Sequence, residues 1–98
     1  MTARYRLTPR ASKDVDHIAA YTLKQWGSAK MADYMRSLHQ RFEWLASNPF
    51  AGRERNDVHP GYRSFPEGSH VIFYLVSDEC VDIIGVPHQS MDLGPGIF

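Results

Sequence analysis

Only one cysteine, Cys80, occurs in the 98 residues, so no intramolecular disulfide can form, and the five histidines are too scattered for zinc-type ligand spacing. No apolar run reaches the roughly 18 residues that a membrane-crossing helix requires. The opening Met1-Thr2-Ala3-Arg4 lacks the apolar stretch of a secretory signal. A Gly-rich phosphate loop is missing too, and with it the simplest nucleotide-binding signature. Charge of one sign is equally scarce. Eleven basic and eleven acidic side chains give a formal net charge of zero, a poor basis for gripping phosphates through non-specific attraction. These absences exclude a disulfide scaffold and a membrane span and disfavour a general polyanion binder. They lead us to expect a cytoplasmic chain without metal or cofactor.

What is present, 43% hydrophobic residues in a short chain, fits one globular domain over residues 1–98. The GPGIF ending favours a flexible tail over 93–98. A domain this small hides only about 60–65% of the surface its unfolded chain exposes, so a protein partner can add substantially to its stability.

Tyr5 and Leu7 alternate with Arg4 and Arg6 and predict a short strand. Thr8-Pro9 then supplies a cap and first-turn pair for a helix. Ala11, Val15, Ile18, Thr22 and Trp26 recur at three- and four-residue steps and line one face of that helix, which runs to about Gln25 and closes at Gly27. Ser28 is placed to cap a second helix carrying Met31, Met35, Leu38, Phe42 and Leu45, and Asn48-Pro49 stops it. Phe50 to Gly61 has no apolar period and reads as a surface connection. Tyr62–Phe65, His70–Val76 and Cys80–Val86 follow as an antiparallel meander. The expected fold is α+β: an N-terminal strand, then an α-helical hairpin packed on a curved, mainly antiparallel β-sheet. The first strand must reach the sheet by a long-range contact, at an edge or beside the last strand. Val71, Phe73 and Leu75 point away from Ile72, Tyr74 and Val76, so both faces of the sheet are apolar, and a partner over the second face is the economical reading.

Metal-free RNA cleavage needs a base, an acid and cationic donors around the phosphorus. Arg53, Arg55, Arg63, His70, His88 and Tyr74 could supply them. None shows a spacing diagnostic of catalysis. The simpler reading pairs the arginines with Glu54, Asp57 and Glu67 and lets the histidines satisfy backbone groups, so no catalytic residue is assigned. Cys80 lacks a local base and reads as a small hydrophobe. His17 and His39 sit in helices, and the helical spacing of Trp26, Tyr34 and Trp44 favours packing or a protein interface over base stacking.

The segments YRLTPRASKDVDHIAAYT, WG, FEWLASNPFAGRERND, GYRSF, GSHVIFY and HQSMD, in this order and spacing from Tyr5 to about Asp92, resemble the ParE toxins of the RelE/ParE toxin–antitoxin superfamily. The resemblance implies the same strand, hairpin and sheet. It also implies a type II toxin that inhibits DNA gyrase by binding, capturing the gyrase–DNA cleavage intermediate without enzymatic chemistry of its own. Such toxins are neutralised by a cognate ParD-like antitoxin in a hetero-oligomer, and they meet operator DNA only through that antitoxin. Arg63, Tyr74, His88, Met91 and Asp92 are the expected target contacts. Exposure logic places the antitoxin on Tyr5, Leu7, Trp26, Tyr34, Met35 and Leu38, with Arg53 and Arg63 meeting its carboxylates.

The alternative is a ribosome-dependent mRNA endoribonuclease of the RelE kind, using Arg63 and His70. RelE toxins are typically strongly basic, whereas this chain is neutral and has no Lys, Arg or Tyr after His88. It also departs from the ParE pattern, in which a basic residue and two apolar residues precede the histidine of the last strand. Gly85, Val86 and Pro87 stand there instead. A third reading, an interaction module without toxicity, follows from that departure.

Overall fold

The alternation of Arg4 and Arg6 with Tyr5 and Leu7 does what period two dictates: the arginines are exposed and the apolar pair packs against the core. The computed structural model describes residues 4–78, 80–91 and 98. Its elements are β1 (Arg4–Leu7), α1 (Pro9–Trp26), α2 (Ser28–Ser47), β2 (Arg53–Glu54), β3 (Tyr62–Glu67), β4 (His70–Ser77) and β5 (Cys80–Gly85). The sheet order is β1-β5-β4-β3-β2. β1 pairs parallel to β5, and the other neighbours pair antiparallel. The α+β architecture is the one expected, and β1 is both an edge strand and the neighbour of the last strand.

Thr8 caps α1 by accepting the Ala11 N–H on its hydroxyl at 3.1 Å, with Pro9 at the first helical position, where its missing N–H costs nothing. Gly27 joins the helices at φ +91°. Its N–H donates to the Leu23 carbonyl, and its own carbonyl accepts from Met31. Ser28 is therefore already helical. The expected serine cap is replaced by glycine, which alone tolerates this φ cheaply. Ala11, Val15 and Ile18 from α1 and Leu38, Phe42 and Leu45 from α2 bury against Ile72, Tyr74, Val81, Ile83 and Val86 of the sheet half.

Two expectations are corrected here. The 50–61 connection is not purely surface: Arg53 and Glu54 pair with Ser64 and Arg63, and Arg55 is buried, making a bidentate contact to Asp57 at 3.0 Å with its guanidinium over the Phe73 ring. Arginine's apolar stem and flat cation suit it to cover an aromatic ring, so a charge run became part of the packing. The second sheet face is likewise not left bare at its centre. Phe73 is fully buried under Arg55 and Phe98, and Phe98 also meets Tyr62 edge-on. Of the tail expected to be flexible, residues 93–97 lie outside the described residues.

Tyr74 and Leu38 are both wholly buried, which removes them from any contact surface of the folded chain. Leu38 fills the helix-to-sheet core. Tyr74 instead holds the connection after α2: its hydroxyl donates to the Pro49 carbonyl and accepts from the Gly52 N–H, both at 2.8 Å. A Cβ at residue 52 would collide with that ring, so glycine is required by close approach. Replacing Tyr74 with phenylalanine orphans a buried N–H. Urea unfolding should show a loss of about 1–3 kcal/mol, and an unchanged midpoint would contradict this role.

Candidate groove on the first helix

α1 carries a second stripe beside its core stripe. Arg10, Asp14, His17 and Tyr21, spaced four, three and four apart, lie next to Ile18 and Thr22 and form one wall of a groove of about 950 Å³. Lys30 and Tyr34 of α2 line it as well, together with Ser69 and His70 at the β3–β4 turn and the segment Val86–His88 leaving β5. Trp26, 70% exposed, Tyr21, 60% exposed, and Met91 also line it.

Asp14 fixes this wall in place. Its Oδ2 accepts the Val86 N–H at 2.9 Å, and its Oδ1 accepts from Arg10 Nε at 3.3 Å. Beyond β5 the chain keeps a short irregular ladder, with Val71 N–H donating to the Pro87 carbonyl at 2.9 Å and Gln89 N–H to the Ser69 carbonyl at 2.8 Å. His70 and His88 face each other across it, their rings 5.3 Å apart and nearly perpendicular.

The protons of this pair follow from their partners. With the Tyr34 hydroxyl donating to the Glu67 carbonyl at 3.1 Å, its 2.8 Å contact with His70 Nδ1 is satisfied when that nitrogen donates. In that arrangement neutral His70 carries its lone pair on Nε2. His88 has the opposite tautomer, because its Nδ1 accepts the Ser90 N–H at 3.1 Å. Burial holds His70 below the ordinary histidine range, and His88 adds to that effect while Asp14 opposes it. The Tyr34 phenol is pushed up to about 12, first by burial and then by the Glu67 carboxylate.

The groove gathers residues that the sequence assigned to two different partners: Trp26 and Tyr34 from one set, His88 and Met91 from the other. The remainder are dispersed. Tyr5 and Leu7 pack against the core from β1, with the Tyr5 hydroxyl 3.0 Å from His39 Nδ1, and Met35 packs there from α2. Arg53 is exposed on β2. Arg63 is committed internally, donating to the Gly52 carbonyl at 2.8 Å and stacking over Phe50. Asp92 lies outside the described residues. Sequence reasoning passed over Arg10, Asp14, Tyr21 and Lys30; the stripe one residue ahead of the apolar one was the available signal.

The profile of the family described as "ParE toxin of type II toxin-antitoxin system, parDE" matches residues 5–93. The chain belongs to the ParE toxin family. Among its relatives, Toxin ParE1 of Caulobacter vibrioides is 43% identical over 88 residues, covering 90% of this chain and 91% of that protein. The fold resembles a structure described as the chromosomal ParDE system of P. aeruginosa (TM-score 0.73, 18% identity, covering 89% of this chain and 96% of that one). It also resembles one from the toxin–antitoxin complex RelBE2 of Mycobacterium tuberculosis (TM-score 0.62, 19% identity, covering 90% and 99%). In this ParE toxin, Gly85 is the place where a basic residue was expected. A Cβ there would lie 2.9 Å from Phe98 Cζ and 3.3 Å from Asp14 Oδ2, so the glycine makes room for the aromatic ring and the carboxylate.

Because the folded state resists protonating His70, acid favours the unfolded chain, whose histidines titrate near 6.5. The contribution of His70 to stability is complete above that pH and is lost as pH falls through its lower folded value. An NMR titration should find His70 protonating below the ordinary histidine range and moving upward in His88→Ala; a His70 that titrates at the free-histidine value would refute this reading.

Proposed function

We propose that this ParE toxin acts in the cytoplasm by binding DNA gyrase and trapping its cleavage intermediate, and that a cognate ParD-like antitoxin holds it inactive in a hetero-oligomer. The whole of 1–98 serves as one toxin domain. The observation that carries this reading is the family match over residues 5–93, which leaves no room for a separate catalytic module within that span. Operator DNA is reached only through the antitoxin, consistent with the zero net charge of the chain.

A non-enzymatic mode is supported by the placement of the two residues nominated for RNA cleavage. Arg63 pairs with Tyr74 on β4, four positions from His70, which is about 13 Å along a strand. Its guanidinium is engaged by the Gly52 carbonyl and by Glu54 at 3.5 Å. A base and a cation so separated do not converge on one phosphate. The fold itself does not choose between the readings, since both ParDE and RelBE2 structures share it. Of the target contacts expected from sequence, His88 and Met91 remain available on the surface; of the antitoxin contacts, Trp26 and Arg53 are the most exposed.

Purified toxin added to gyrase should block supercoiling and accumulate cleaved DNA, and prior addition of the antitoxin should restore activity. In a coupled translation reaction, primer extension should find transcripts intact. Codon-specific cuts with gyrase unaffected would replace this reading with the ribonuclease one.

A further inference from the structure

We propose that His70 and His88 form an open binding site for a divalent transition-metal ion of the nitrogen-preferring class, zinc, nickel or copper. The inference goes beyond the toxin reading and does not rest on the choice of cellular target.

The backbone brings the two rings together. His70 and His88 are partners in an antiparallel bridge, and the bonds that hold it are made by their neighbours, Val71 N–H to the Pro87 carbonyl at 2.9 Å and Gln89 N–H to the Ser69 carbonyl at 2.8 Å. Residues 70 and 88 are thus a non-hydrogen-bonded pair, the kind whose Cα atoms come closest, at about 4.5 Å, and whose side chains leave the same face. A zinc ion sits about 2.0–2.1 Å from an imidazole nitrogen and so about 3.2 Å from the ring centre; two rings at a tetrahedral angle then have centres about 5.2 Å apart. The centres of the His70 and His88 rings are 5.3 Å apart, with 81° between their planes. The spacing that a shared ion requires is already present.

In each ring Nδ1 has a partner of its own, which leaves Nε2 for the ion. His70 Nδ1 donates to the Tyr34 hydroxyl at 2.8 Å, and that hydroxyl donates on to the Glu67 carbonyl at 3.1 Å. A ligating histidine usually spends its other N–H in this way, which fixes both ring and tautomer. His88 Nδ1 accepts the Ser90 N–H at 3.1 Å and lies 2.7 Å from Ser90 Oγ. In the free chain that arrangement puts the His88 proton on Nε2. Coordination moves it to Nδ1, where the rotatable Ser90 hydroxyl accepts it and the exposed Ser90 N–H turns to water. Both imidazoles then bind as neutral ligands.

The surroundings select the ion. Among the described residues that line the groove, Asp14 is the only carboxylate, and it is engaged by the Val86 N–H and Arg10, so the oxygen-preferring magnesium and calcium ions find no anionic ligand. No group of three His, Cys, Asp or Glu side chains among the described residues is placed to hold an ion. The pair is therefore a two-ligand site, and water or a donor from another molecule fills the remaining positions. His88 is exposed and His70 half-buried in the groove wall, so an ion reaches them from solvent. Once bound, it ties the β3–β4 turn to the segment leaving β5.

The test uses the untagged full-length toxin, isotope-labelled and titrated with zinc chloride, with magnesium chloride as the control. Imidazole NMR signals of His70 and His88 should move together and saturate at one ion per chain, while those of His39 and His59 stay in place and magnesium moves none. The thermal midpoint should rise with zinc. His88→Gln should abolish that rise and weaken zinc binding by about tenfold or more, and Tyr34→Phe, which keeps both imidazoles but removes the acceptor that orients His70, should weaken it by about tenfold. Because His88 is exposed, its replacement leaves the core intact, and an unchanged affinity in that variant overturns the proposal however Tyr34→Phe folds. Shifts at only one of the two rings, or an equal response to magnesium, would do the same. Zinc binding by a toxin inert towards gyrase would spare this inference and sink the proposed function; gyrase inhibition by a toxin that ignores zinc would do the reverse.

Discussion

The Val86 N–H, just past the end of β5, is a buried donor without a ladder partner, and the carboxylate of Asp14 satisfies it. The geometry of the candidate groove depends on that contact. It ties α1 to the exit of the last strand and so sets one wall of the groove against the other. It also bears on a departure from the family pattern: a Cβ at position 85 would run into the Phe98 ring and come within 3.3 Å of Asp14 Oδ2, so glycine leaves both in place. Pro87 fits the same scheme. It has no N–H to satisfy, and its carbonyl receives Val71. The two substitutions that made the end of β5 look damaged are thus part of how this chain builds that end.

Local signals in the sequence were read correctly wherever the residue's own chemistry dictates the outcome. Thr8-Pro9 starts α1, Gly27 ends it, and the alternation in Val71–Val76 assigns the two sheet faces. What stayed hidden depends on partners distant in sequence. β2 is two residues long and exists only because β3 lies beside it. Arg55 looks like a solvated charge until Phe73 is placed beneath it. Tyr74 looked available as a contact residue because its hydroxyl is polar, yet it is buried with both hydrogen-bonding roles filled by a loop more than twenty residues away. Four of the residues lining the candidate groove, Trp26, Tyr34, His88 and Met91, were legible as separate contact residues, but not as one place. Their convergence requires the Asp14 clamp and the crossing of α1 over β5, neither of which leaves a pattern along the chain.

That convergence changes how neutralisation can work. With candidate antitoxin and target residues on separate surfaces, an antitoxin must act by its bulk or through a conformational change that links them. When they line one groove, occupancy suffices, because a segment lying on Trp26 and Tyr34 also covers His88 and Met91. Competition of this kind needs no second state of the fold. The buried network through Tyr74, Gly52 and Pro49 and the fully packed helix-to-sheet core give no sign of an element poised between two arrangements.

Zero net charge is a statement about the sum and not about the field. Six ion pairs among the described residues, Arg6–Asp82, Arg10–Asp14, Arg36–Asp33, Arg41–Glu67, Arg55–Asp57 and Arg63–Glu54, consume six of the eleven acidic side chains close to a cation. Pairs so tight contribute little beyond their own neighbourhood, because the two charges cancel within a few ångströms and salt screens what is left over about 8–10 Å. The field at any surface is then set by the unpaired groups near it. Among the described residues lining the groove, Lys30 is such a group, and the carboxylate of Asp14 is already compensated. A chain whose charges sum to zero can thus still carry a local field, set by the groups that lack a nearby counter-charge, without the general polyanion attraction of a strongly basic chain.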